Sequence, residues 1–471
     1  TKWWTHNKKR SKPLIRCYSL VFIAKGIFDF NVKSANQLDL YCIMPSNIFN
    51  KMIKLRSLLV ISSYCFPLFL FPSEYPAIDF RDSVHQYFQS TPSDPFSHFR
   101  RKLENGEVTL NFNSEKQYLS SLLQELSISP YSQLLVFSTT SLQLSRISPR
   151  NPRAIYFTDD LYIGYVPGGQ IEVIGIDPAL GAITYIFNFP KPGSTTHPTI
   201  YRSKRCMNCH ASQDIGGAPG LLIGSVIPGQ GGGSIDSFRK ETSGHGVAFG
   251  KRFGGWHITG QHPFNETWAN QIGEMQKGNI FKIPNPPGKY FSWDKYLTES
   301  SDIIPHLLLE HQIGFTNRCI TITYRIRDLV TSNDNTVDQK NIENFIQKEA
   351  NSLLDYILFK DEVPLPENQI NLKTRYVSDF ERRSISGKKK ANLKKLELTS
   401  RLLKLRCSYM IFSNSFKGLP LEFKDYIIEK LHFILSCERS KIPVQYSYLE
   451  TEEREKIKQI LAASMEGFPQ T

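Results

Sequence analysis

The sequence predicts an α+β protein, with a β-meander in its front half and an α-helical back half. Two patterns support this. Between 154 and 189 apolar and aromatic residues alternate with period two, in AIYF, LYIGYV, IEVIGI and AITYIF. Turn signals separate these runs at Asp159-Asp160, Pro167-Gly168-Gly169 and Asp177-Pro178. From Asp302 onward the period becomes helical, in IIPHLLLEHQIGF, NIENFIQKEANSLLDYILF, KKLELTSRLLKLRCSYMIF, EFKDYIIEKLHFILS and EEREKIKQILAAS.

Around these two patterns lie less regular stretches. Residues 79–150 read as mostly helical with loops; LENGEVTL (103–110) is a turn-bearing exception, and Gln117–Leu126 is an apolar-periodic helix. Residues 190–300 are loop-rich, punctuated at Gly216-Gly217, Gly229–Gly233 and Gly254-Gly255. Residues 364–390 are polar and basic, an expected exposed linker, and no internal repeat is visible. The expected division is 74–300 as a mixed front region and 301–471 as a helical region.

The chain has 471 residues and a net charge of +13, which points first toward a nucleic acid or a membrane surface. The distribution of charge removes that reading. Residues 1–51 carry +7 and residues 52–73 carry +2, which leaves +4 on the remaining 74–471. No nucleic-acid partner is expected.

Met52 opens MIKLRSLLVISSYCFPLFLFPSEYPA, which has the layout of a secretory signal. Lys54 and Arg56 form the charged region, and Ser57 to Phe71 an apolar stretch ended by Pro72 and Ser73. That stretch is shorter than the roughly 20 residues a bilayer span needs. Residues 52–73 therefore read as a signal peptide, and the expected location is periplasmic or secreted. No integral span is expected unless the signal stays uncleaved. For residues 1–51 two readings stay open: translated upstream frame, or a genuine basic leader.

Cys206-Met207-Asn208-Cys209-His210 is the one sharp chemical motif, C-x-x-C-H. In an exported bacterial chain this spacing lets two thiols add across the vinyl groups of haem, with His210 placed as the proximal iron ligand. A zinc ribbon would need a second close ligand pair, and Cys319, Cys407 and Cys437 are each isolated. A thioredoxin-type dithiol would need a strand-to-helix context, which the polar, basic Tyr201–Arg205 stretch does not offer. One motif implies one covalent haem c.

A six-coordinate haem takes a second axial ligand. The candidates are His245 (SGHG), His262 (GQHPF) and His311 (LLLEHQ), with His257 (WHIT) and Met275 behind them. His245 and His262 sit in Gly-punctuated loops, and His257 alternates with Trp256 as a sheet residue would. Met207, inside the attachment loop, is badly placed for the distal face.

Five blocks together resemble a family. They are ISPRNPRAIYFTDDLYIGYVPGG (147–169), CMNCH with GGAPGLL (216–222) after it, KRFGGWHITGQH (251–262), YLTESSDIIPHLLLEHQ (296–312) and RCSYMIFSNSFKGLP (406–420). The chain is similar, from about 130 to its C-terminus, to exported bacterial proteins described as cytochrome c domain-containing. The resemblance implies one covalent haem c on Cys206, Cys209 and His210, and places His245, His262 and His311 on family histidines. It assigns no reaction. The chain departs from the family pattern at PFNE after His262 and at Thr316, where a histidine is usual.

Other motifs are bland. Gly229-Gln-Gly-Gly-Gly lacks the Lys-Ser/Thr of a phosphate loop. Lys388–Lys395 reads as a solvated charge run, and Asp159-Asp160 as a hairpin turn. Cys407 and Cys437 stand on neighbouring expected helices, where they could pair or remain free. The functional expectation is an exported monohaem c-type cytochrome in electron transfer with a redox partner protein. Two alternatives stay open: a haem c-dependent redox enzyme or a peroxide- or gas-responsive haem protein, and a zinc-binding structural protein.

Overall fold

A computed structural model describes residues 77–470, apart from 192, 193, 195, 240–242, 261, 262, 265, 332–338, 367–369, 372 and 384–391. The expected leader and signal, 1–51 and 52–73, lie outside the described residues. Helix α1 (Pro95–Glu104) begins where the Asp94 carboxylate accepts the N–H groups of Phe96 and Ser97, with Pro95 at its first position. It ends at Asn105 in the turn expected within 103–110. Helix α2 (Glu115–Glu125), capped by Ser114, is the helix expected at 117–126.

Strand β1 (Leu134–Val136) is absent from the mostly helical reading of 79–150. Three apolar residues show no period, so its strand character comes from its partners. The meander forms as expected: β2 (Arg153–Phe157), β3 (Leu161–Tyr165), β4 (Gln170–Asp177) and β5 (Gly181–Asn188) pair antiparallel in succession. Next come β6 (Tyr201–Arg202), the single-turn α3 (Met207–His210), β7 (Ser225–Pro228), β8 (Ser234–Arg239), β9 (Trp256–His257), β10 (Gln271–Gln276) and β11 (Asn279–Pro284). Seven strands form one sheet in the order β6-β5-β4-β3-β2-β1-β9, while β7–β8 and β10–β11 are separate hairpins.

Both faces of the sheet are covered. Ile171, Val173, Ile183, Tyr185, Tyr156 and Ile163 pack with Phe96 and Phe99 of α1 and with Leu119 and Leu122 of α2. The opposite face offers Val136, Phe157, Tyr162, Ile176 and Ala182 to the helical region, led by α4 (Ile303–Thr331). Burial on two sides is why the meander strands are so rich in apolar residues. The remaining helices are α5 (Gln339–Ile357), α6 (Arg375–Arg382), α7 (Asn414–Lys417), α8 (Leu421–Ser436) and α9 (Thr451–Ser464). One core therefore runs from the sheet through α4 to α8 and α9.

Two expectations need correction. The periodic stretch KKLELTSRLLKLRCSYMIF is not a helix; among its residues only Tyr409–Phe412 form a short 3-10 turn. Its backbone donors are taken by carboxylates. Glu397 accepts from Thr399, Ser400 and Arg401, Glu362 from Leu402, Glu381 from Leu396 and Glu453 from Arg406. Those bonds replace the i→i−4 ladder, and three of the four acceptors are distant in sequence. Cys407, buried off any helix, and Cys437 are both free thiols. The linker expected at 364–390 contains α6, which Thr374 caps and which buries Tyr376, Val377 and Phe380.

Asp159 and Asp160 do form the β2–β3 turn, but both are tied to the helical region. Lys394 Nζ lies 2.6 Å from Asp159, and the Asn414 N–H donates to Asp160 at 2.9 Å. Burial pushes Asp160 up from 3.8 to about 7. An acid whose folded pKa is raised keeps its proton in the native state after the unfolded chain has released it. Its contribution is therefore complete below about pH 4 and is lost as pH rises through about 7. Glu362 is also pushed up to about 7 by burial, so it adds to the same slope. Buried histidines such as His311, held near pKa 3, contribute the opposite slope, so the expectation is a difference: between about pH 4 and pH 7 the urea midpoint of Asp160→Asn should rise relative to that of the wild type. An unchanged slope in Asp160→Asn would refute the assignment.

Candidate functional site at the CMNCH turn

The site is built on one turn. The Cys206 carbonyl accepts the N–H groups of Cys209 (3.2 Å) and His210 (3.0 Å), so residues 206, 209 and 210 share a face of α3. The side chain of Met207 points the other way, into the core, with its Sδ 3.2 Å from the Tyr87 hydroxyl. That contact anchors the turn on the sheet and takes Met207 out of ligand chemistry. Both motif cysteines are free thiols, Cys206 half-buried and Cys209 exposed. Burial pushes the Cys206 thiol up; the Ser203 hydroxyl, 3.1 Å away, opposes this, and the Glu172 carboxylate adds to it.

His210 is fixed by the loop that ends at Gly220. Its Nδ1 lies 3.0 Å from the Gly220 carbonyl oxygen, and the Gly220 N–H returns to the His210 carbonyl at 2.7 Å. A carbonyl only accepts, so Nδ1 carries the proton and Nε2 presents its lone pair. Burial lowers the His210 pKa, which favours the neutral ring. A neutral imidazole with its second nitrogen held by a carbonyl is the usual arrangement of a metal-ligating histidine.

The Gly220 loop is itself clamped. Asn317 of α4 accepts from the Leu221 N–H (2.8 Å) and donates to the Leu221 carbonyl (2.7 Å), while Ala182 of β5 donates to Pro219 (2.9 Å). A Cβ at residue 220 would stand 2.6 Å from Asn317 Oδ1, so glycine is what lets the loop close on α4.

Beside this turn the sheet is left half covered. Ile155, Gly164, Glu172 and Ile186 are cross-strand neighbours on β2, β3, β4 and β5, and each is only partly buried. Glu172 is held by Ser141 (2.5 Å), Gln143 (2.9 Å) and Arg153 (2.9 Å). These groups keep it below the usual carboxylate range despite burial. Its charge is felt at both Cys206 and His210.

The distal candidates fall elsewhere. His262 lies outside the described residues. His257 is a sheet residue on β9, packed against the tilted rings of Phe137 and Phe291. Met275 is exposed on β10. The structure brings His245 and His311 together, Nδ1 to Nδ1 at 2.8 Å, and His311 Nε2 lies 2.8 Å from Ser408 Oγ. Both nitrogens of His311 are thus in use, and burial pushes its pKa down to about 3.

No family model, no curated protein and no solved structure matches the chain. Among the described residues, no three His, Cys, Asp or Glu side chains converge on a point a metal ion could occupy. No described helix is long and apolar enough to cross a membrane. Gly220, Asn317, Arg318, Tyr356 and Ser408 were not singled out by the sequence; the only local hint was the Gly-rich punctuation around 216–220.

Proposed function

We propose that the chain is an exported monohaem c-type cytochrome that exchanges electrons with a redox partner protein. Cys206 and Cys209 would hold the haem as thioethers, and His210 Nε2 would ligate its iron. The observation that carries this reading is the His210 Nδ1–H bond to the Gly220 carbonyl at 3.0 Å, which leaves Nε2 as the ligating nitrogen. When bound, the haem supplies one-electron chemistry.

The chain's own residues support it in three ways. The α3 turn puts two unpaired thiols beside the ligand histidine. Ile155, Gly164 and Ile186 flank Glu172 in a partly buried row of the sheet, and the Glu172–Arg153 pair sets the charge felt at the motif. The zinc alternative loses ground, because it requires further ligands to converge and none of the described residues supply them.

The test is expression with export in a bacterium that has the haem c maturation machinery. One haem per chain is expected by pyridine haemochrome, persisting on a denaturing gel. Well-expressed, exported protein without covalent haem would overturn the proposal. Carbon monoxide separates the two haem readings: an unchanged spectrum of the reduced protein fits an electron carrier, and binding fits a haem enzyme or gas-responsive protein.

A further inference from the structure

A cavity of about 760 Å³ lies along α4 and α5, lined among others by His245, Lys251, Arg318, Asn351, Ser352 and Tyr356. None of Cys206, Cys209 and His210 lines it. Its volume is that of an ordinary small-molecule site.

Two of its side chains are built as donors. Arg318 stacks its guanidinium over the Tyr356 ring at 4.1 Å and directs Nη1 to the carbonyls of Gly314 (2.8 Å) and Ser243 (3.4 Å). Those contacts fix the plane of the fork. Its Nε and Nη2 edge has no hydrogen-bond partner among the described residues, and this is the edge that takes an oxyanion bidentately.

The second donor is set by Ser408. The Ser408 Oγ accepts the Met410 N–H at 3.2 Å, and its own proton has one available acceptor, His311 Nε2 at 2.8 Å. Because Ser408 is fully buried, that bond must be made. His311 then carries its proton on Nδ1 and donates it to His245 Nδ1 at 2.8 Å. The His245 proton is left on Nε2, the one ring nitrogen of the pair without a partner among the described residues. The ring is held in place, stacked on Tyr356 and Phe359 at 4.1 and 4.4 Å. His245 therefore offers the cavity an N–H, not a lone pair.

From this geometry we infer that the cavity binds a small organic monocarboxylate, with its carboxylate on the open edge of Arg318 and the Nε2–H of His245. Lys251, exposed at the rim, adds a steering charge. Asp355 and Asp361 also line the cavity and oppose a dianion. Asp355 is already paired with Lys360 (2.8 Å) and bonded by Tyr446 (2.7 Å). A monoanionic head is what this mixed lining accepts.

The inference does not depend on haem attachment and is tested separately. The full exported chain is titrated calorimetrically with benzoate, butyrate, benzamide and inorganic phosphate at constant ionic strength. Saturable binding of at least one of the two carboxylates is expected, with none of the neutral benzamide. Arg318→Lys should weaken binding by about ten- to a hundredfold, since a point charge replaces the fork. His245→Phe, which keeps the stacked ring and removes the N–H, should weaken it by about tenfold. If one variant fails to fold, the other decides. Absent carboxylate binding, phosphate binding more tightly than either carboxylate, or a folded Arg318→Lys that binds like wild type would each overturn the inference.

Discussion

Replacing both Cys206 and Cys209 with alanine is expected to abolish covalent haem while leaving the fold intact. The two effects separate because the thiols contribute little to packing. Cys209 is exposed, and Cys206 donates to the Ser203 hydroxyl at 3.1 Å. Loss of such contacts should cost no more than about 1 kcal/mol. Haem staining should therefore fall to zero, with far-ultraviolet circular dichroism and the urea midpoint of haem-free protein nearly unchanged. The single variants, each with one thioether left, should keep a reduced stain. His210→Ala should retain both thioethers and change the iron spectrum. Undiminished staining in the double variant would show that any haem present is held elsewhere.

The sequence made the meander and the main helices legible, because their information is local. Period two with aspartate and glycine turns specifies β2 to β5, and a long apolar period specifies α4. Legibility stopped where partners are distant. The 394–412 stretch has a helical pattern, yet carboxylates from residues 362, 381 and 453 take its N–H groups. Strand β1 is too short to show a period and exists through its pairing with β2 and β9.

The site divides in the same way. That Cys206, Cys209 and His210 share one turn was readable because the three are near neighbours in sequence. The Gly220 carbonyl that fixes the His210 tautomer is only ten residues away, but a carbonyl has no sequence signature. His245 and His311 both stood out as possible iron ligands. That they bond each other across 66 residues, and that Ser408 sets their protons, depends on tertiary packing alone.

The same packing gives Gly314→Ala a large effect of unexpected sign. Gly314 lies inside α4, where alanine is intrinsically better than glycine by about 1 kcal/mol. Helix propensity alone therefore predicts a more stable protein. A Cβ at this position would stand 2.3 Å from the Tyr356 hydroxyl and 2.6 Å from the Gly244 Cα. The tyrosine is held by its bond to the His311 carbonyl at 2.9 Å, and Gly244 is backbone, its N–H donating to Glu310 at 2.7 Å. Neither can swing aside, so the 243–247 loop must lift from α4. Overpacking of this kind costs about 1–3 kcal/mol, enough to cancel or exceed the propensity gain. Gly314→Ala is thus expected to lower the urea midpoint and, by displacing His245, to lose carboxylate binding. Gly250→Ala, with open space around its Cβ, is the neutral control. Adding Tyr356→Phe should recover part of the loss, because it removes the hydroxyl and leaves the backbone contacts with Gly244 and Ser243. A Gly314→Ala protein more stable than wild type would mean that the loop is not seated on α4, and the His245–His311 pairing would fall with it.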